Sequence, residues 1–249
     1  MKYILYIISA WIIPATEASA GDFAFALDLT SPLDLAGAKC IKQSLYPTVF
    51  LRGSSPYEQL PANICQSVRN AKDAGLQVEV FMTPDPLQEE SKQLENLYNT
   101  LQNCDFNVRS IWLQITSPIN WPDTPRKNVD LIERMIDKAS EYGIALGIYT
   151  NHYDWKQITG GNISMDKAKM LWYWSVPRVG PDAEDNPNFD NFRPFGPWRT
   201  PAAKQFGQME LICGYVANRN IYRPSKISIG IGAGIRRDNS RDIGFIGLK

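Results

Sequence analysis

The stretch SIWLQITSPINW, residues 110–121, has the pattern of a buried β-strand, SIWLQIT, that runs into a turn and ends at a tryptophan. Successive side chains of a strand point to opposite faces, so residues two apart share a face. Gln114 and Thr116 are two apart at the end of this strand, which aims both side chains into one pocket. Neither an amide nor a hydroxyl titrates in the physiological range.

The same strand pattern recurs on both sides of this stretch, and helical patterns separate the strands. Beyond Thr150 the predicted strands LWYWSV, AAKQFG and GYVANRNIY follow one another without long helices between them. Alternation of strands and helices predicts a parallel sheet or barrel with helices outside. We therefore predict a single α/β barrel of about eight strands. Its first five strands are predicted at 23–29, 48–53, 76–82, 110–116 and 144–150, with helices at 63–74, 88–103 and 129–142.

The two ends of the chain differ from this pattern. Residues 1–20 contain Lys2, an apolar run and small residues before Gly21, which is typical of a secretory signal peptide, with a membrane anchor as the alternative. Residues 223–249 alternate Gly with Ile and are basic. We expect a loosely ordered extension there, or a basic arm that contacts anionic surfaces. The barrel itself is predicted to span residues 21–222.

Charge and cysteine content narrow the function classes. Basic and acidic residues balance at 26 each, so nucleic acid is not an expected partner. An even set of cysteines in a secreted chain predicts disulfides, and three connectivities stay open. His152 is the single histidine and no CxxC is present, so we expect neither a zinc site nor a Cys-His nucleophile. The sequence carries no signature of a metal or organic cofactor, and none is expected. The cysteines are Cys40, Cys65, Cys104 and Cys213, and Asn162 begins a possible glycosylation triplet.

In a parallel α/β barrel the functional site lies at the C-terminal ends of the strands. The predicted strand ends carry polar groups there, and aromatic faces near them can stack on sugar rings. The alternative for Trp112 and for one of Trp172 and Trp174 is packing inside the barrel. The polar candidates are Asp28, Asp85, Gln114, Thr116, Gln205, Asn218 and Asn220, and the candidate sugar-binding residues are Arg52, Trp112, Tyr149, Trp172 and Trp174.

Eight stretches in order resemble glycoside hydrolase family 25, the Chalaropsis-type lysozymes, and most closely a nematode lysozyme-like branch. The resemblance runs from about Phe23 to Tyr222 and implies a flattened barrel of about five β/α units followed by roughly three antiparallel strands. The stretches are FALDLTSP, TVFLRG, VRNAKDAGLQVEVFM, SIWLQITSPINW, GIALGIYTN, WYWSV, NFRPFGPW with AAKQF, and CGYVANRNIY.

The resemblance also implies where catalytic carboxylates stand. In active members the fourth strand ends in Asp-x-Glu, a motif that falls here on Gln114 and Thr116. A family aspartate falls on Asp28, which is retained, and a further acidic position falls on Asn218. General acid catalysis contributes about 10²- to 10⁴-fold, so we expect very low or no muramidase activity. The alternative is rescue by a nearby carboxylate, for which Glu79 and Asp85 are the candidates.

These patterns together predict a secreted, extracellular and monomeric lysozyme-like protein of innate defence. It is expected to bind bacterial cell-wall glycan, peptidoglycan, with little or no hydrolysis. Two alternatives stay open at this stage. One is a residual muramidase that uses displaced carboxylates, and the other is a signalling or interaction protein that has kept the barrel as a scaffold.

Overall fold

The computed structural model describes residues 23–56, 63–162, 164–165, 167–224 and 241–248. The predicted signal peptide and residues 225–240 of the tail lie outside the described residues. Among the residues that are described, no helix combines the length and the apolar character needed to cross a membrane.

Eight strands close into a barrel in which each strand pairs with its neighbour along the chain, and the last returns to the first. The predicted α/β barrel is therefore confirmed. The strands are β1 (Ala24–Leu29), β2 (Thr48–Ser54), β3 (Gln77–Met82), β5 (Ser110–Gln114), β6 (Ala145–Thr150), β7 (Leu171–Trp174), β8 (Ala203–Ile212) and β9 (Tyr215–Tyr222). Two short strands outside the barrel, β4 (Asn107–Val108) and β10 (Asp242–Ile243), pair with each other.

The direction of the last strands differs from the expectation of roughly three antiparallel strands. β7 pairs in parallel with β6, and β8 pairs in parallel with β7. Among the described barrel strands, β9 alone runs antiparallel to its neighbours. The physical reason is that a helix after β6 and the long segment 175–202 after β7 each return the chain to the starting end of the barrel, as a parallel connection requires.

Helices cover the outside of the barrel and follow the apolar spacing of the sequence. The three predicted helices are confirmed, and one of them begins earlier than expected, with Pro125 in its first turn. Proline fits there because the N–H groups of the first turn have no acceptor within the helix, so the missing N–H of proline costs nothing. Two shorter helices were not predicted. The helices are α1 (Leu35–Gln43), α2 (Ile64–Asp73), α3 (Glu90–Asn103), α4 (Pro125–Glu141) and α5 (His152–Thr159).

The inside of the barrel is a packed aromatic core and not a channel. The rings of Phe50 and Trp172 lie 4.2 Å apart between centroids, and Tyr149 lies 4.1 Å from Trp172. Trp112 and Trp172 are both fully buried. A filled interior confines ligands to the ends of the barrel and to the loops that surround them.

Residues 241–248 close the N-terminal end of the barrel, which we call the barrel floor. The carboxylate of Glu79 accepts backbone N–H bonds from Phe245 at 2.5 Å and from Ile246 at 3.0 Å. The Gly244 N–H donates to the carbonyl oxygen of Val78 at 2.9 Å. The expectation of a loosely ordered tail is therefore wrong for residues 241–248, because their backbone donors find a buried acceptor.

Both expected disulfides form within the described chain. Cys40 bonds to Cys213 and joins α1 to the turn between β8 and β9. Cys65 bonds to Cys104 and joins α2 to the residue that follows α3. The sequence left the connectivity open, and the fold decides it by bringing these pairs together across the barrel surface.

Candidate functional site

Polar side chains meet at the C-terminal end of the barrel, which we call the mouth. Carboxyl ends of parallel strands lie at the same edge of a sheet, so residues far apart in the chain become neighbours there. β9 contributes as well, because its antiparallel register sets Asn218 beside Asp28. The mouth consists of Asp28, Gln114, Thr116, Tyr149, Trp174, Gln205 and Asn218.

Asp28 is held by three side-chain amides. Its Oδ1 accepts a hydrogen bond from Asn218 Nδ2 at 2.7 Å. Its Oδ2 accepts from Gln205 Nε2 at 2.8 Å and from Asn220 Nδ2 at 2.9 Å. Burial raises the pKa of Asp28 to about 6, and the three amide bonds oppose that rise. The carboxyl is 4% exposed and is fixed in position by donors on both oxygens.

The amides around Asp28 are oriented by further partners. Gln205 Oε1 accepts from the hydroxyl of Tyr149 at 3.0 Å, which leaves its amide nitrogen to face Asp28. Asn220 Oδ1 accepts from Trp172 Nε1 at 2.8 Å, with the same consequence. An amide whose oxygen is already occupied by a donor can present only its NH₂ group elsewhere. The network is therefore built to hold an acceptor at Asp28.

Gln114 and Thr116 share the pocket that their spacing predicts, and they bond to each other. Gln114 Nε2 donates to Thr116 Oγ1 at 3.0 Å, and Gln114 Oε1 accepts from Thr83 Oγ1 at 2.7 Å. Trp121 Nε1 donates to the carbonyl oxygen of Thr116 at 3.1 Å and fixes the turn that follows β5. The end of β5 thus carries a neutral chain of hydroxyl, amide and hydroxyl groups.

The predicted sugar-binding aromatics separate into two groups. Trp112 and Trp172 lie wholly inside the barrel, where their N–H groups bond to Glu79 and Asn220, and their buried rings leave no face for a ligand. Tyr149 is 6% exposed and presents its hydroxyl to the Asp28 network. Trp174, at the end of β7, is half-buried, unlike Trp112 and Trp172.

The other predicted polar residues are dispersed. Arg52 is half-buried near the end of β2. Glu79 lies on the barrel floor, at the opposite end from the mouth, and burial raises its pKa to about 7. Asp85 lies in the loop after β3, where its Oδ1 accepts from the Leu87 N–H at 2.9 Å. Glu79 is therefore not brought to Gln114, and Asp85 reaches that side of the mouth on a separate loop.

The sequence analysis did not predict one acidic residue of the mouth, Asp154. Asp154 lies in the first turn of α5 and is 5% exposed. Its Oδ2 accepts from Trp174 Nε1 at 3.2 Å. Burial raises the pKa of Asp154, while the bonds from Trp174 and from the Ser117 backbone N–H lower it. The available signal was its position four residues after Thr150, at the predicted end of a strand.

A cavity of about 850 Å³ lies beside the mouth. Thr83 lines this cavity and also bonds to Gln114, so the cavity adjoins the end of β5. A volume of this size accommodates more than one sugar ring. Its walls come from the end of β2, the loop after β3 and one side of α3, and they consist of Ser54, Ser55, Pro56, Thr83, Asp85, Gln88, Glu89, Lys92, Gln93 and Asn96.

The fold is that of the family 25 glycoside hydrolases. It matches a muramidase from Trichobolus zukalii with a TM-score of 0.61 at 14% identity, over 82% of this chain and 95% of that one. It also matches a bacterial lysozyme from Streptomyces coelicolor with a TM-score of 0.63 at 13% identity, over 82% of this chain and 93% of that one.

Sequence relatives narrow this class. The family model described as lysozyme-like protein 1 matches residues 19–206. Lysozyme-like protein 2 of Caenorhabditis elegans is 41% identical over 85% of this chain and 76% of its own length. A probable GH family 25 lysozyme of Dictyostelium discoideum is 29% identical over 89% of this chain and 100% of its own length. The chain belongs to the lysozyme-like protein family.

Proposed function

We propose that this protein is a secreted, extracellular and monomeric member of its family that binds bacterial cell-wall glycan with little or no hydrolysis, in the service of innate defence. The relatives named as lysozymes and lysozyme-like proteins support peptidoglycan as the target. The disulfides support an oxidising compartment, in agreement with the signal-like pattern of residues 1–20.

The observation that carries the proposal is the neutral pair Gln114 and Thr116, bonded to each other at 3.0 Å. Glycosidases need one carboxylic acid to protonate the leaving oxygen and a second carboxylate to stabilise charge or activate water. By the family resemblance this pair occupies the positions of those two acids. Neither group can deliver a proton with a pKa near the working pH, so a contribution of about 10²- to 10⁴-fold is lost.

Asp28 does not replace the missing acids in this proposal. Its two oxygens already accept three amide N–H bonds, at 2.7 to 2.9 Å. Such a carboxyl orients the Asn218 and Gln205 amides at the mouth and cannot easily approach a glycosidic oxygen. Binding needs no acid, since stacking on Trp174 and hydrogen bonds to amides and hydroxyls recognise sugars without proton transfer.

The test compares binding and lysis by the secreted protein. Wild type is expected to sediment with insoluble peptidoglycan and to leave cell walls intact. The variant Gln114→Asp/Thr116→Glu is expected to lyse walls, because it returns two carboxylates to a preserved barrel. The matched control, Gln114→Asn/Thr116→Ser, keeps the site neutral and is expected to leave cell walls intact. Wall lysis by wild type would overturn the absence of hydrolysis, and failure to sediment would overturn glycan binding.

A further inference from the structure

Asp154 reaches the mouth from a different β/α unit than Gln114 and Thr116. It lies in the first turn of α5, and its backbone N–H is capped by Asn151 Oδ1 at 2.7 Å. The side chain contacts the end of β7 through Trp174 Nε1 and contacts the loop after β5 through the Ser117 N–H. Three elements of the mouth therefore converge on one carboxylate.

The contact with Ser117 sets Asp154 beside Thr116. Ser117 adopts the left-handed conformation, with φ of 57°, directly after Thr116. A non-glycine residue adopts this conformation at a cost, and such strain clusters at functional sites. Here the turn directs the Ser117 N–H onto Asp154. The negative charge missing from the end of β5 is thus present one residue further along, on a side chain supplied by α5.

Asp154 also keeps acceptor capacity. An ionised carboxylate offers about four lone-pair sites, and the two N–H donors described above occupy two of them. Trp174 is half-buried and its indole N–H donates to Asp154 Oδ2 at 3.2 Å, so part of this residue is open to solvent next to the carboxylate. An aromatic face next to a carboxylate with free lone pairs is an arrangement that suits a sugar, because the ring covers the C–H face and the carboxylate accepts from a hydroxyl or amide N–H.

We propose that Asp154 and Trp174 form a sugar subsite that accepts an uncharged N-acetylamino sugar. Trp174 stacks on the ring, and Asp154 accepts a hydrogen bond from one of its hydroxyl or acetamido N–H groups. The negative charge of Asp154 disfavours a sugar that carries a carboxylate of its own, such as the lactyl-substituted sugar of peptidoglycan. This inference rests on the proposed glycan binding and adds the place and selectivity of one subsite.

The experiment measures affinity for two soluble probes by calorimetry. One is a neutral tetrasaccharide of β-1,4-linked N-acetylglucosamine, and the other is a peptidoglycan tetrasaccharide with lactyl carboxylates. Asp154→Asn keeps the shape and removes the charge. Its affinity for the neutral probe is expected to fall about 10- to 100-fold, as for loss of a charge-assisted hydrogen bond. Its affinity for the acidic probe falls less, so the preference for the neutral probe narrows.

Two further variants separate a subsite from a merely structural role. Asp123→Asn makes the same charge change at an exposed position in the loop after β5, and it is expected to alter neither affinity. Trp174→Phe keeps a stacking ring but removes the indole. It is expected to lower affinity for the neutral probe about 2- to 10-fold, because the smaller ring stacks less and the N–H bond to Asp154 is lost.

The outcomes are distinct for the two proposals. Wild-type sedimentation with peptidoglycan, together with unchanged probe affinities in Asp154→Asn, would overturn the subsite and leave glycan binding intact. An equal loss for both probes would assign Asp154 a structural role and would also overturn the subsite. Unchanged affinity for the neutral probe in Trp174→Phe would remove Trp174 from it. If wild type binds neither probe nor insoluble wall, the proposed function itself is lost.

Discussion

The side-chain amide of Gln114 donates to the hydroxyl of Thr116 at 3.0 Å. β5 ends at Gln114, and Thr116 lies two residues further on in the segment that follows, with its hydroxyl within reach of the Gln114 amide. Thr83 donates to the same amide from the loop after β3. The three side chains are joined by two hydrogen bonds, and none of them carries a charge. This self-contained chain explains how the mouth accommodates two uncharged side chains at the end of β5 and just beyond it.

Restoring the acids should produce an enzyme whose pH dependence reports on Asp154. In Gln114→Asp/Thr116→Glu, the carboxyl introduced at position 116 would stand beside Asp154, and like charges raise a carboxyl pKa. A general acid must be protonated, so lysis is expected to fall as the pH rises through that raised pKa. Adding Asp154→Asn is expected to move this basic limb down by about one pH unit.

Wall lysis measured from pH 4 to pH 8 on both variants provides the check. The double variant is the reference for the triple variant, because the two proteins carry the same restored carboxyl pair and differ only at Asp154. A basic limb at the same pH in both would show that Asp154 does not face the restored acid.

A buried lysine fixes the loop between β7 and β8. The side chain of Lys204 is fully buried, and its Nζ lies 2.9 Å from Asp185 Oδ2 and 2.9 Å from the carbonyl oxygens of Asn186 and Asn188. Lys204→Met would remove the ion pair with Asp185 and the hydrogen bonds to the two carbonyl oxygens. Removing one member of a buried ion pair costs about 3–5 kcal/mol, so the free energy of unfolding in urea is expected to fall by that amount.

The matched control for Lys204 is the exposed pair of Lys167 with Asp137, whose side chains are 66% and 54% exposed. Exposed pairs contribute about 0–1 kcal/mol, so Lys167→Met is expected to change the unfolding free energy by less than about 1 kcal/mol. Equal losses in the two variants would mean that the Lys204 cluster does not stabilise the fold.

Local pattern decided which parts of the fold were predictable from the sequence. Buried strands and long amphipathic helices such as α4 have strong periodic patterns, and they were predicted. α1 and α5 were missed because they are short, with 9 and 8 residues, and few apolar positions mark their buried faces. The direction of β7 and β8 was also missed, since strand direction depends on where a connection returns and not on the strand's own residues.

The site divides in the same way. The sequence predicted that Gln114 and Thr116 lie side by side from strand periodicity, and they do so although β5 ends at Gln114 and Thr116 lies beyond it. The contact of Asp154 with Trp174 joins residues on different elements, and no local pattern specifies it. Glu79 was considered for the mouth, but its partner Phe245 lies 166 positions away in a tail whose sequence resembles a flexible extension. Contacts with residues distant in the sequence place Glu79 on the barrel floor, and the local sequence does not reveal them.

The two disulfides should differ in how much they stabilise the fold. Cys40 and Cys213 are 173 positions apart, whereas Cys65 and Cys104 are 39 apart. In the loop-entropy model the longer loop constrains the unfolded chain more, with contributions of ~5 and ~4 kcal/mol. Cys40→Ser/Cys213→Ser is therefore expected to lower the unfolding free energy by about 1 kcal/mol more than Cys65→Ser/Cys104→Ser. Equal or reversed losses in urea unfolding would contradict this order.

The buried acids should make the protein more stable at mildly acidic than at neutral pH. Burial raises the pKa of Asp28 from 3.8 to about 6 and that of Glu79 from 4.5 to about 7. A carboxyl with a raised pKa in the folded chain stabilises the fold fully below its unfolded pKa, and this contribution is lost as the pH rises through the folded pKa. Each contributes about 3 kcal/mol by its shift. The pKa of Asp185 is lowered, so this residue affects stability only at pH values below the mildly acidic to neutral interval.

Urea unfolding at fixed ionic strength from pH 4 to pH 8 measures this dependence. Wild type is expected to lose stability steadily over this interval. Glu79→Gln keeps one acceptor oxygen for the Phe245 and Ile246 N–H groups and no longer titrates, so its curve is expected to fall less steeply. The remaining slope comes from Asp28 and from Glu210, whose pKa burial also raises to about 7. Asp137→Asn, an exposed acid on α4, is expected to follow the wild-type slope. A wild-type stability that rises toward pH 8 would show that the N–H donors of the barrel floor outweigh burial and hold Glu79 ionised.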